Sequence, residues 1–164
     1  MAIRPIIRYP DPRLKRVADP VTVFDAGLRD LADDLLATMR AAPGLGITAP
    51  HIGIPARLVV LELTPGAVQV FVNPVITWSS PETARHSEGS VSMPGVVEEI
   101  ERPARVRVSY EDLDGAYREQ EADGFLAICH QHEIDQLDGI FWIDRLSRLK
   151  RDRVIARFNK RQRS

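Results

Sequence analysis

Apolar residues recur at helical spacing between positions 28 and 39, where Leu28, Leu31, Leu35 and Met39 fall on one face. That pattern predicts an amphipathic helix. Asp25 stands where an N-cap belongs, and Pro43-Gly44 stops the run. Residues 57–63 and 68–72 are apolar runs too short for helices. They read as strands joined by the turn Thr64-Pro65-Gly66. Pro74 is expected to end the second, with a third strand at 75–78. Residues 105–110 alternate polar and apolar, as a half-buried strand does, and Asp114-Gly115 turns the chain into a partner at 117–121. Helical spacing returns at 123–137, where Phe125, Ile128, Cys129, His132 and Gln136 lie near one face. A last helix is expected from about Ser147, laying Leu149, Val154, Ile155 and Phe158 against the body with its arginines outside. The lead-in at 5–20 is punctuated by prolines and irregular. Strands bracketed by helices, rather than strict alternation, predict an α+β fold. The 164 residues fit one domain, 1–164.

Composition changes this picture in two places. No stretch approaches the roughly 18 apolar residues of a membrane span, and no signal-like run follows Met1. With its single cysteine, Cys129, the chain reads as a cytoplasmic protein with neither membrane nor DNA as partner. The net charge of -1 hides an asymmetry. From Asp144 onward nine Lys/Arg stand against two Asp, +7, leaving -8 for the rest. A basic tail on an acidic body suits either a solvated helix face or a polyanionic partner.

Candidate chemistry centres on Gln131-His132-Glu133-Ile134-Asp135-Gln136, which reads as H-E-x-x-H with glutamine in place of the last histidine. In the intact pattern two histidines at i and i+4 hold a metal and the Glu acts as general base. Two further segments accompany it: Gly44-Leu45-Gly46-Ile47-Thr48-Ala49-Pro50-His51 and Glu88-Gly89-Ser90-Val91-Ser92-Met93-Pro94-Gly95. In that order and spacing the three resemble the motifs of the peptide deformylases, G-x-G-x-A-A-x-Q, E-G-C-L-S and Q-H-E-x-D-H. The flanking Tyr9-Pro10-Asp11-Pro12-Arg13-Leu14 and Leu126-Ala127-Ile128-Cys129 match as well.

The resemblance implies mixed β-sheets around a central helix that carries the third motif. It implies a metal, iron(II) or a substitute such as zinc or nickel, held by the motif Cys and two His. It also implies a substrate, the formyl-methionine at a nascent chain's N-terminus, and work near the ribosomal exit, where the basic C-terminal helix would meet RNA. By position, Glu133 inherits the acid/base role, the N–H of Val91 the oxyanion contact, His51 the place of the motif Gln, and Gly44 and Gly46 the peptide-pairing segment. His132 is the retained metal ligand. Ser90 and Gln136 occupy the other two ligand positions, and Val97 occupies that of a substrate-contacting arginine.

Those replacements leave three readings. The site is catalytically silent and binds a peptide N-terminus or the ribosome. Alternatively, it is an active deformylase rebuilt around His51 and His132. More remotely, Ser90 is the nucleophile of a metal-free hydrolase. Serine is a neutral, hard donor and glutamine offers only an amide oxygen. Losing three site positions together while the glycines remain favours the silent reading. Cys129 reads as a buried structural thiol, and His86 and His130 as surface or outer residues.

Overall fold

The computed structural model describes residues 1–163; Ser164, the last residue of the expected domain, lies outside them. Asp25 caps helix α1, Ala26–Ala41, accepting the Leu28 N–H at 3.0 Å. Leu28, Leu35 and Met39 are buried beneath it. Strand β1, Gly46–Thr48, follows, then a 3-10 turn, Ala49–Ile52, and the wholly buried β2, Leu58–Leu61.

Pro74 does not end a strand. It lies inside one long strand β3, Gln69–Ser79. The pairing register slips between Val72 and Val75, and Asn73 turns to φ 50° there. A bulge leaves its extra residue out of the ladder, so a proline without an N–H fits beside it. Asn73 stabilises the kink, accepting from Val21 N and donating to Val21 O and Glu111.

Strands β4, Thr83–Ser90, and β5, Met93–Pro103, form a separate two-stranded sheet. Strands β6, Arg105–Glu111, and β7, Tyr117–Asp123, complete a five-stranded sheet in the order β1-β2-β3-β6-β7. The α+β expectation holds, but the sheets are not mixed. Every pairing between these strands is antiparallel, and the parallel contact is an isolated bridge, Asp19 to Ala56. Short turns require that sense for the hairpins β4–β5 and β6–β7, while β3 meets β6 across the intervening β4–β5 sheet.

Helix α2, Gly124–Leu137, crosses between the two sheets and is buried nearly all round. His130 is therefore no surface residue. It is buried edge-on to Phe71, its Nε2 2.6 Å from Gln120 Oε1, and burial pushes its pKa down to about 4. Helix α3, Arg148–Gln162, is capped by Ser147. It lays Val154 and Phe158 into a core with Leu14, Met93 and Trp142, while Leu149 is 61% exposed rather than packed. No helix among the described residues is long and apolar enough to cross a membrane.

Candidate functional site

A cavity of about 460 Å³ opens between the Gly44–Gly46 segment, the β4–β5 turn and α2. Its lining brings together His51, Ser90, Val91, His132, Glu133 and the glycines Gly44 and Gly46, residues spread over 90 positions of sequence. The glycines allow close packing on both sides of the cavity. A Cβ on Gly46 would sit 2.8 Å from Leu61, and one on Gly44 would sit 2.8 Å from Val91. The N-terminal segment ties the walls in place: Ile7 N–H donates to His51 O and Tyr9 N–H to Ser92 O, each at 2.9 Å. Around the mouth, Leu45, Val97 and Phe125 are exposed, so the rim is apolar where the resemblance expected an arginine.

Gln136 does not join the cavity lining. Its side chain is buried and donates to Leu14 O at 2.7 Å. The helix turns it toward the Pro12–Lys15 segment, where it closes a backbone carbonyl that would otherwise be buried unpaired. Ser90 Oγ accepts the Ser92 N–H at 3.1 Å, which braces the β4–β5 turn.

His132 presents Nδ1 to Glu88 at 2.8 Å, and its Nε2 lies 3.6 Å from Glu133 Oε1. Thus Glu88, rather than the adjacent Glu133, orients the imidazole. Glu88 itself is gripped by both ends of the Arg102 guanidinium, at 2.6 and 2.9 Å. Arg102 also binds Asp135 at 2.9 Å, and Asp135 takes two bonds from Arg145, at 2.9 and 2.7 Å. Burial works to raise the Glu88 pKa, but the His132 and Arg102 bonds outweigh it and hold the carboxyl down. Burial likewise opposes the His132 charge, yet the Glu88 bond and the Glu133 and Glu88 charges leave its pKa raised. No residue pattern along the chain pointed to this relay. Arg102 lies 14 residues from Glu88 and 33 from Asp135, on β5 beyond the end of the second motif segment.

His51 is buried in the 3-10 turn, with Nδ1 2.9 Å from the Thr48 N–H and 2.9 Å from Thr48 Oγ1. Its Nε2 has no partner, and neither does Glu133 Oε2. Burial, helped by the His132 charge, pushes His51 down to about 3. Burial raises Glu133 to about 7 against the pull of His132. Cys129 lines the cavity as a thiol, pushed up to about 12 by burial and then by the Glu133 and Glu88 charges. Among the described residues no three His, Cys, Asp or Glu side chains are grouped to hold a metal.

The family model described as polypeptide deformylase matches residues 3–152. A protein named peptide deformylase-like from Brucella melitensis biotype 1 is 65% identical over 164 residues, covering 99% of this chain and all of its own length. A peptide deformylase of Rhizobium meliloti is 48% identical, over 98% of this chain and 94% of that protein. The crystal structure of a peptide deformylase from Legionella pneumophila superposes with a TM-score of 0.94 at 38% identity, covering 99% of this chain and 96% of that one.

Proposed function

The chain belongs to the polypeptide deformylase family, which acts on formylated N-termini of nascent chains, and from that premise we propose that it binds such N-termini without metal-dependent hydrolysis. One observation carries the reading: of the three ligand positions, only His132 turns a metal-competent donor toward the cavity. A metal in the family's site would supply an activated water near neutral pH. The resemblance has it held by a charged, soft thiolate and two neutral imidazoles. Ser90 offers a neutral hydroxyl already engaged with Ser92, and the Gln136 side chain is committed to Leu14. That donor set does not fit the group.

His51 is no substitute ligand. A backbone N–H can only donate, so Nδ1 accepts from Thr48 and the proton of the neutral ring sits on Nε2. An Nε2–H cannot ligate. The Ser90 hydrolase reading also lacks support: Oγ accepts the Ser92 N–H, and no hydrogen bond among the described residues joins it to an imidazole base.

What remains fits binding. The Gly44–Gly46 segment leads into the edge strand β1 and lines the cavity with Leu45 exposed, so an extended peptide would pair along it rather than along the buried Ile47 and Thr48. Ile128, Cys129 and Phe125 give an apolar wall for a first side chain such as methionine. Glu133, His51 and the Val91 N–H stand where the peptide's terminal group would lie. The basic face of α3 suits contact with ribosomal RNA in the cytoplasm, through phosphate neutralisation.

Elemental analysis of freshly purified protein, paired with hydrolysis and binding assays on formyl-Met-Ala-Ser, tests the reading. It expects bound peptide, no hydrolysis and metal far below stoichiometry. Near-stoichiometric iron or zinc with release of formate overturns it. The triple variant Ser90→Cys, Gln136→His, His51→Gln should regain metal, since the remaining scaffold matches the family.

A further inference from the structure

We infer that the open face of the five-stranded sheet, over β6 and β7, docks on the same face of a second copy of this chain. Helices α1 and α2 pack on opposite faces of that sheet. Leu28, Leu35 and Met39 of α1 meet Leu58, Val60 and Val72, whereas Ala127 and Ile134 of α2 meet Val106, Val108 and Ala122. α1 covers the β1–β2 end of its face. Farther along that face the side chains stand in solvent: Val75 and Trp78 on β3, Arg105 and Arg107 on β6, Glu119, Glu121 and Asp123 on β7. A trough of about 420 Å³ lies there, lined by Trp78, Arg105, Arg107, Glu121 and Asp123 among others. It shares no lining residue with the cavity beside α2.

This face is basic on one strand and acidic on the next. The antiparallel register sets Arg105 opposite Asp123, Arg107 opposite Glu121 and Ser109 opposite Glu119. A two-fold axis along the strands, midway between β6 and β7, carries β6 of each copy over β7 of the other and leaves every level unchanged. Arg107 then meets Glu121 of the partner subunit, and Arg105 meets Asp123 of the partner subunit, twice over. A two-fold contact must be self-complementary, and this register makes the patch so. Sheets packed face to face lie about 10 Å apart, within the combined reach of an arginine and a glutamate.

The charges are available. Arg107 pairs with Glu121 at 2.9 Å and Arg105 with Glu82 at 3.2 Å, but all four side chains are exposed. Exposed single pairs contribute little, and a network of several contributes more. Asp123 precedes α2 without making a side-chain cap bond. The indole of Trp78 lies 5.7 and 5.9 Å from the Arg105 and Arg107 guanidinium carbons, which steadies both and lowers the ordering cost of docking. A polyanion is the poorer occupant, because Glu119, Glu121 and Asp123 form the adjacent row. The patch is small, so the association is weak and salt-sensitive.

Sedimentation equilibrium of the full chain tests the inference. At low salt the mass is expected to climb with concentration from one chain toward two, and to fall back in roughly 0.5 M salt. Arg107→Glu and Glu121→Arg each set like charges in register, and each should weaken self-association about tenfold or more. Mixed in equal amounts, the two variants should pair with each other, since each then supplies the charge that the other lacks. Circular dichroism checks that both fold, and the wild-type series stands without them. A wild type that stays a single chain at every concentration overturns the inference. So does an Arg107→Glu variant that associates as well as wild type, or a pair of folded variants that stay apart when mixed. A monomeric wild type whose binding to poly(U) RNA falls in Arg107→Glu would give this face to a nucleic acid instead.

Discussion

Two polar regions lie on either side of the His132 ring. Behind it runs a buried relay, Arg145 to Asp135 to Arg102 to Glu88 to His132, with the Arg102 and Glu88 side chains only 5% and 4% exposed and every link between 2.6 and 2.9 Å. In front of it lie His51 Nε2 and Glu133 Oε2, buried and without partners. The first region is satisfied internally and needs nothing from outside. The second is unsatisfied, and its His51 ring is held by Thr48 rather than by the relay. Unpaired polar groups cost stability; of the four buried side-chain atoms without a partner among the described residues, two belong to residues that line the cavity.

The strongest way to break this contrast is to open the relay. Arg102→Ala leaves Glu88 and Asp135 buried without their shared cation, and should cost about 3–5 kcal/mol in denaturant unfolding. A loss near zero would mean that the relay is not structural. A smaller effect is expected from Gln136→Leu, which orphans the Leu14 carbonyl and should cost ~1–3 kcal/mol. If that variant is as stable as wild type, Gln136 is free to turn to the cavity and the metal argument weakens.

On the open side the expected effect is smaller and depends on pH. Glu133 is raised from 4.5 to about 7 in the fold, so between those values the folded chain holds a proton that the unfolded chain has released. Its contribution to stability is full below pH 4.5 and is lost as pH rises to about 7. Glu133→Gln mimics the protonated form and should remove that decline. The part due to His132, also raised in the fold, persists as pH climbs past its ordinary 6.5. Stability curves of the two proteins that run parallel from pH 4.5 to 7 would show that Glu133 is not the buried acid described.

Legibility followed locality. Helix α1 and its Asp25 cap, the α2 span and the 105–121 hairpin were readable because each rests on neighbours a few residues away. The three motifs likewise brought seven cavity residues into view before any coordinates: Gly44, Gly46, His51, Ser90, Val91, His132 and Glu133. The bulge that carries β3 past Pro74 was not readable, because it depends on Asn73 reaching back to Val21. Nor was the exposure of Leu149, whose spacing fits the buried face but which lies at the helix start, beyond the core.

By itself the sequence determined the α+β class, the family, and the chemical types present at the site: a serine and a glutamine where metal ligands are expected, and a histidine in place of an amide. Those are properties of residue identity and order along the chain. Tertiary structure decided what each does. It turned Gln136 away to Leu14, set the His51 proton on Nε2 through Thr48, and placed Arg102 between two carboxylates. Side-chain direction and proton position are fixed by partners distant in sequence, and only packing chooses those partners.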